Sequence, residues 1–169
     1  MSARARRALR LVALLSTFAT FARAQEDEAG IALGQAPAPA TVESLDGAAV
    51  DLPRLLGTKP ALVEFWATWC PRCRALEPRL DAAAVRYKGK VQFLAIAVAV
   101  NETLASVRRH LAAHPAPYRF LWDAGGAAVR AFQAPTTSYI VVLKGGKVVY
   151  TGVGAEQDFE SALAHLGAP

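Results

Sequence analysis

The sequence predicts an α/β protein with a central mixed β-sheet and helices on both of its faces. Two runs of apolar residues, at 61–67 and 91–100, are continuous rather than alternating, which is typical of strands buried on both sides. A segment with helical spacing lies between them, and a hairpin signal follows late in the chain. With 169 residues, the chain can hold one such domain but no second catalytic domain.

The first half of the domain is expected to begin with a short hairpin and to end in the second buried strand. Asp46-Gly47 is a turn signal between two short strands, and a helical turn or loop follows the hairpin. Apolar residues then recur at helical spacing from Leu76 to Tyr87, and Gly89 marks the end of that helix. The predicted elements are strands at 41–45, 48–52 and 61–67, a helix at 71–87 and a strand at 91–100.

The second half is expected to add helices and a hairpin before a C-terminal helix. Asn101 is placed to cap a helix that Pro115 ends. Gly145-Gly146 is a hairpin turn that joins the last two strands. The predicted elements are a helix at 102–113, a short pairing segment at 120–122, a helix at 126–132, strands at 137–143 and 148–151, and a helix at 156–166.

The positive net charge of the chain is confined to its N-terminal segment. The chain carries 19 Lys and Arg against 14 Asp and Glu, a net charge of +5. Five of the arginines, and none of the acidic residues, precede Gln25, so bases and acids balance in the rest of the chain. The charge therefore offers no electrostatic case for binding nucleic acid.

The N-terminal segment has the pattern of a secretory signal peptide. An arginine-rich start leads into the apolar run 11–21, and Ala22-Arg23-Ala24 fits the small-x-small pattern before a cleavage site. The alternative is an uncleaved membrane anchor, but this run is short for a span of about 20 residues. We therefore expect a signal peptide at 1–24, an extended leader at 25–40 and the domain at 41–169. The cleaved protein should be exported, in bacteria to the periplasm, without stable membrane insertion.

The two cysteines of the chain are separated by only two residues. A disulfide between Cys70 and Cys73 would close a very small loop, worth about 2 kcal/mol by the chain-entropy relation. Structural disulfides in exported proteins normally close longer loops. The pair is therefore interpreted as a redox pair rather than as a structural crosslink.

The position of the pair between a strand and a helix explains its chemistry. Cys70 is expected at the N-cap, where free backbone N–H groups and the helix dipole favour a thiolate. Pro71 suits the first helical position, and Arg72 adds a cation that should lower the pKa of Cys70 further. Cys73 lies one turn further on and is expected to be less exposed. Attack by Cys70 on a disulfide would give a mixed disulfide, which Cys73 then resolves; the reverse sequence oxidises a dithiol.

Three motifs occur together in this chain. They are Phe65-Trp66-Ala67-Thr68-Trp69-Cys70-Pro71-Arg72-Cys73, Pro78 within the following helix, and Ala134-Pro135-Thr136-Thr137 before a strand. A lone Cys-x-x-Cys pair also occurs in zinc sites, whereas this combination is specific. On these motifs the chain resembles the thioredoxin superfamily and is most similar to the exported TlpA-like thiol-disulfide oxidoreductases of bacteria. The resemblance extends from about Gly34 to the C-terminus.

The resemblance implies a thioredoxin-like fold and a protein thiol-disulfide oxidoreductase that acts on protein thiols and disulfides without a cofactor. It implies that Pro135 is a cis-proline that faces the cysteines, offers backbone groups to a bound peptide and keeps metal away. The alternative is an ordinary trans-proline before an edge strand. The substrate-binding residues so implied are Trp69, Ala134, Pro135 and Thr136. We also expect a membrane-bound redox partner and no resident metal.

Glu64 is the candidate proton acceptor. It lies six residues before Cys70 in a strand expected to be covered on both faces, so its pKa should be raised and it could take the proton of Cys73. Thioredoxins carry a buried acid at the matching position, whereas many TlpA-like proteins place a Glu where this chain has Leu76. The alternative is a Glu64 that reaches solvent or pairs with Lys or Arg.

Two functional questions stay open at this level. Pro71 before Arg72 resembles strongly oxidising exported members of the superfamily, but the sequence does not decide between oxidase and reductase. A copper-binding metallochaperone on the same fold is the alternative function. It lacks a histidine near Pro135, and His110 and His114 are assigned to a solvated helix face. A thiol peroxidase would need a different arrangement of threonine and cysteine.

Overall fold

The computed structural model describes residues 30–167. The predicted signal peptide and the first part of the leader, residues 1–29, lie outside the described residues. The elements in chain order are β1 (Thr41–Ser44), β2 (Ala49–Asp51), α1 (Leu52–Leu56), β3 (Ala61–Trp66), α2 (Pro71–Arg86), β4 (Gln92–Val98), α3 (Leu104–Ala113), β5 (Arg119–Asp123), α4 (Ala127–Ala131), β6 (Tyr139–Lys144), β7 (Lys147–Val153) and α5 (Phe159–Gly167).

The strands form one mixed sheet in the order β2-β1-β5-β4-β3-β6-β7. Strands β3, β4 and β5 are parallel, and the other neighbouring strands pair antiparallel. Successive residues of a strand point to opposite faces. Accordingly, Leu62 packs with Leu76 of α2 and Phe159 of α5 in one hydrophobic cluster, while Val63 packs with Ala128 of α4 in the other. Helices therefore cover both faces, and the predicted fold class is confirmed.

The described part of the leader packs against the domain, and it makes a turn at Leu33 and Gly34 rather than being extended throughout as predicted. The Gly34 amide donates to Val148 O at 2.7 Å, and the Val148 amide donates to Gln35 O at 2.8 Å, along the edge strand β7. Ile31 is buried, and its amide donates to the Tyr139 hydroxyl at 3.1 Å. These contacts hold residues 31–35 on the sheet edge opposite the hairpin of β1 and β2.

Helix α3 begins two residues later than the sequence predicts. Thr103, not Asn101, is its N-cap: Thr103 Oγ1 accepts from the Ser106 amide, and Ser106 Oγ accepts from the Thr103 amide. Asn101 instead has a φ of 49° and turns the chain out of β4. The prediction that Asn101 caps this helix is therefore wrong. A Thr followed by a Ser three residues later satisfies two amides at once, which one Asn cannot do.

Helix α2 carries the cysteine pair at its start and is 16 residues long, with Pro78 inside it. Helix α5 begins at Phe159, and Asp158, the residue before it, accepts a hydrogen bond from the Ser161 amide. Neither these nor any other helix within residues 30–167 has both the length and the apolar character needed to cross a bilayer.

Candidate active site

The cysteine pair lies where the central strand β3 passes into helix α2. Cys70 is the N-cap of α2 in extended backbone conformation, and its Sγ accepts from the Cys73 amide at 3.1 Å. Pro71 occupies the first helical position, as predicted from the sequence. A sulfur at this position faces the free amides of the first turn, so the site favours a thiolate at Cys70 once the disulfide opens.

Cys70 and Cys73 form a disulfide, with their Cα atoms 5.3 Å apart. The two residues are 2% and 1% exposed. Cys73 is the less exposed of the two, as predicted, and both residues are buried in this disulfide-bonded form. Pro71 and Arg72 between them are exposed. Tuning of Cys70 by Arg72 stays a prediction.

Two hydrogen bonds from the β4–α3 connection hold the loop that precedes Cys70. Glu102 Oε2 accepts from the Thr68 amide at 2.7 Å, and Val100 O accepts from Trp69 Nε1 at 2.8 Å. Burial opposes ionisation of Glu102, but hydrogen bonds from Ser106 and Thr68 outweigh it and lower the pKa of the carboxyl. Glu102 could not be identified from the sequence, because no local pattern links it to a loop 34 residues away.

An open cavity of about 250 Å³ lies beside this loop. The structure brings the predicted substrate-binding residues together there, with apolar residues from β4, its following loop and α4. Trp69 is 44% exposed, as expected for a residue that contacts substrate. The lining residues are Trp69, Val98, Val100, Val129, Ala134, Pro135, Thr136 and Thr137.

The peptide bond before Pro135 is trans, since no cis peptide bond occurs within residues 30–167. The implied cis-proline is therefore wrong for this structure. The chain reverses around this loop through positive φ angles instead, 49° at Gln133 and 60° at Ser138. The trans isomer is the lower-energy form of an X-Pro bond.

Glu64 is buried in the middle of the sheet. The residue is 4% exposed, and its neighbours in register are Ala95 and Ile140, which offer it no side-chain partner. Its Oε1 has no hydrogen-bonding partner among the described residues. Burial, and then the nearby charge of Glu77, raises the pKa of Glu64 to about 8. The predicted burial and raised pKa are confirmed, and the alternative of an exposed or ion-paired Glu64 is wrong.

The residues near Glu64 on helices α2 and α3 differ from expectation. Leu76, at the position of the TlpA-like acid, is fully buried. Glu77 approaches His110, with Oε1 3.7 Å from Nε2. The His110 ring packs 5.6 Å from the Trp66 ring and stacks on His114 at 4.6 Å. The assignment of His110 to a solvated face is wrong, because that face packs against β3 and α2.

Trp122 is buried in the core, as predicted. Among residues 30–167, no group of three or more His, Cys, Asp or Glu side chains is arranged to hold a metal ion. His110 contacts Glu77 and Trp66, and His114, the C-cap of α3, stacks on His110 and is exposed.

The arrangement supports thiol-disulfide exchange. Cys70 caps the N-terminus of α2 directly after Trp69, which lines the open cleft, and Cys73 lines a second, small cavity together with Glu64. A thiolate is the reactive form in such exchange, and a nearby acid or base can return or remove the proton of the second sulfur.

Comparison with known proteins agrees with this chemistry. The Redoxin family model matches residues 33–166. Thioredoxin 1 of Nostoc is 40% identical over 47 residues, which cover 28% of this chain and 44% of that protein. A thioredoxin-like protein of Haemophilus influenzae is 30% identical over 115 residues, 67% of this chain and 66% of that protein. The matched part is thus under half of the first relative and just under two thirds of the second.

The fold is shared with solved structures. A secreted Mycobacterium tuberculosis disulfide oxidoreductase homologous to E. coli DsbE superposes with a TM-score of 0.64 at 24% identity. The superposition covers 76% of this chain and 95% of that one. At this identity the match shows a common thioredoxin-like fold, as the sequence motifs predicted.

Proposed function

Because the chain belongs to the Redoxin family, we propose that it is a protein thiol-disulfide oxidoreductase that works through Cys70 and Cys73. The observation that carries this proposal is the disulfide at the N-terminus of α2, next to the cleft of Trp69 and Pro135. A bridge across two residues contributes little to stability, so its placement at a substrate cleft is explained by chemistry.

The oxidising direction begins with attack of a substrate thiolate on Cys70 Sγ. The bond from substrate sulfur to Cys70 forms, the Cys70–Cys73 bond breaks, and Cys73 leaves as a thiolate that takes a proton from Glu64. A second substrate thiolate then attacks the substrate sulfur of the mixed disulfide and releases Cys70 as a thiolate. The substrate leaves oxidised, and the enzyme holds the two electrons as a dithiol.

The reducing direction runs through the same mixed disulfide. Cys70 thiolate attacks a substrate disulfide, and Cys73 then attacks Cys70 Sγ and expels the reduced substrate sulfur. Glu64 receives the Cys73 proton as that attack begins. Cys73 and Glu64 line one cavity, and the raised pKa of Glu64 lets the same carboxyl give a proton in one direction and accept it in the other.

Substrate is held in the open cleft beside Cys70. Trp69 offers an exposed aromatic surface, and Ala134, Pro135 and Thr136 line the same cleft. The lining is mostly apolar, which suits an extended protein segment whose side chains flank its cysteine. The proposed substrates are therefore protein thiols and disulfides.

The proposed site of action is outside the cytoplasm, in the periplasm of a bacterium. Residues 1–24 support this by their signal-peptide pattern, and a membrane-bound redox partner would then exchange electrons with the Cys70–Cys73 pair.

The order Pro71-Arg72 supports an oxidising potential. Cell fractionation with N-terminal sequencing tests the export proposal, and a mature chain that keeps Met1 would contradict it. Equilibration with glutathione measures the potential.

An insulin-reduction assay tests the activity itself. Wild-type protein should accelerate precipitation of insulin by dithiothreitol, and Cys70→Ser should abolish that acceleration. Cys73→Ser should instead accumulate a mixed disulfide at Cys70, because the resolving sulfur is gone. Metal analysis of the reduced protein accompanies the assay. Tight stoichiometric copper in a protein that is inactive on insulin would favour the metallochaperone instead.

A further inference from the structure

Three buried polar atoms without a protein partner lie around a single small cavity. Within residues 30–167 these atoms are Glu64 Oε1, Trp66 Nε1 and Asp81 Oδ1. All three residues line a cavity between β3, α2, α3 and the segment that leads into β5. Buried polar atoms normally have hydrogen-bonding partners, and leaving one unpaired costs about 1–3 kcal/mol. Three such atoms at one place therefore point to a common partner inside the cavity.

The cavity suits water. Its volume of about 50 Å³ exceeds what one water molecule needs, and two acceptors and one donor converge on it. Titratable groups face it from every surrounding element: Glu64 of β3; Cys73, Glu77 and Asp81 of α2; His110 and His114 at the end of α3; and Tyr118 before β5. Burial and then the carboxylates of Glu64, Asp81 and Glu77 raise the pKa of Tyr118, so its hydroxyl stays a donor.

Exposure increases along one side of this cavity. Glu64 is buried, the His110 side chain is 16% exposed, and the Glu77 side chain is 37% exposed. The His110 ring lies against Trp66 on its inner side and approaches Glu77 Oε1 at 3.7 Å on its outer side. An imidazole can take a proton at one nitrogen and release one from the other at near-neutral pH. His110 thus stands between the buried acid and solvent.

We propose that water in this cavity and His110, supported by Glu77, carry the proton between Glu64 and solvent during thiol-disulfide exchange. The proposal rests on the proposed function. When Cys73 attacks the mixed disulfide, its Sγ binds Cys70 Sγ, the substrate sulfur leaves as a thiolate, and the Cys73 proton passes to Glu64. Glu64 then releases that proton through water to His110 and the bulk. The same route runs backwards when Cys73 is the leaving group. His110 acts through Glu64 and touches no reacting sulfur.

The test separates mixed-disulfide formation from its resolution. Reduced protein is mixed with oxidised glutathione, quenched in acid and followed by mass spectrometry of the glutathione adduct at Cys70. His110→Phe keeps an aromatic ring against Trp66 but cannot carry a proton. This variant should form the adduct within twofold of the wild-type rate and resolve it about tenfold more slowly. A tenfold loss is smaller than the total rate contribution of a positioned general acid or base, because Glu64 itself is still present. His165→Phe, at an exposed position of α5, is the matched control and should resolve at the wild-type rate.

Three further variants separate a proton-transfer role from a structural one. Added imidazole should restore most of the lost resolution rate in His110→Ala but not in Glu64→Leu, where the acceptor itself is missing. Glu77→Gln should move the midpoint of the resolution-rate profile to lower pH, because the charge of Glu77 helps raise the pKa of Glu64. Wild-type rates in both His110 variants at every pH would overturn the proposal. So would a slow His110→Ala that imidazole does not restore.

Because the probe is glutathione, failure of the proton route and failure of the proposed function give different results. A wild-type protein that exchanges with glutathione but not with insulin would contradict activity on proteins, while the His110 variants would still report on the proton route. Conversely, an insulin-active protein whose His110 variants resolve normally would retain the function and lose the proton route.

Discussion

Replacing Glu64 by Gln should remove a pH-dependent weakness of the fold. Glu64 is surrounded in the sheet by Ala95 and Ile140, and burial followed by the charge of Glu77 raises its pKa to about 8. Gln has nearly the same size and no charge, so it keeps the shape of the site and abolishes the titration. The difference in unfolding free energy between the two proteins therefore isolates this one carboxyl.

The size of the effect follows from the two protonation equilibria. In the unfolded chain the carboxyl has its ordinary pKa of 4.5, against about 8 in the fold. Between these values the folded state binds the proton more tightly than the unfolded state, so the free energy of unfolding falls as the pH rises. The slope is about 1.4 kcal/mol for each pH step of one. Relative to Glu64→Gln, the unfolding free energy of the wild type should be about 3 kcal/mol lower at pH 7, and about 5 kcal/mol lower above pH 8, than it is below pH 4.

Urea denaturation at intervals from pH 4 to pH 9 measures this difference. The disulfide is kept oxidised in both proteins, so that Cys70 and Cys73 do not titrate. Glu156→Gln, which changes an exposed carboxyl, is the control and should run parallel to wild type. A wild-type minus Glu64→Gln difference that stays constant within about 1 kcal/mol from pH 5 to pH 8 would refute the reasoning. Glu64 would then be ionised in the fold at its ordinary pKa.

Three other predictions concern the site and the leader. Glu64→Leu should slow resolution of the glutathione adduct by about 100-fold at neutral pH while its formation is unchanged, and quenched mass spectrometry checks this. Glu102→Ala should lower the unfolding free energy by about 2 kcal/mol, because the Thr68 amide loses a charged acceptor. Hydrogen exchange at the Thr68 amide should become faster for the same reason, and Glu43→Ala is the control for that experiment. Tyr139→Phe should lower the unfolding free energy by about 1 kcal/mol and increase proteolysis near Ile31, because the Ile31 amide loses its hydroxyl acceptor. Unchanged proteolysis would show that this hydrogen bond does not hold the leader.

Local signals were sufficient for the reacting pair. A continuous apolar run, two cysteines and a helical repeat follow one another without a gap, so the N-cap position of Cys70 could be predicted from neighbours along the chain. The burial of Glu64 could be predicted for the same reason, since apolar residues flank it on both sides in a strand that had to be central. In both cases the deciding interactions lie within about ten residues.

Contacts between distant segments could not be predicted in this way. Glu102 meets the Thr68 amide across 34 residues, and His110 meets Glu77 across 33, only because α2 and α3 both pack beside β3. The i, i+4 spacing of the histidines indicated a helix face but not what covers it. The positive φ of Gln133 likewise could not be predicted, because a non-glycine residue with positive φ leaves no reliable signal in the sequence.

The linear order of residues was thus enough for the fold class, the redox pair and its buried acid, because periodicity, capping and hydrophobic runs act over short distances along the chain. Only the folded structure showed the hydrogen bond between the Thr68 amide and Glu102, the trans bond at Pro135 and the polar cavity of Glu64 and His110. Each of these depends on which segments become neighbours when the sheet assembles. That choice is made by burial of apolar surface over the whole domain and not by any one stretch of sequence.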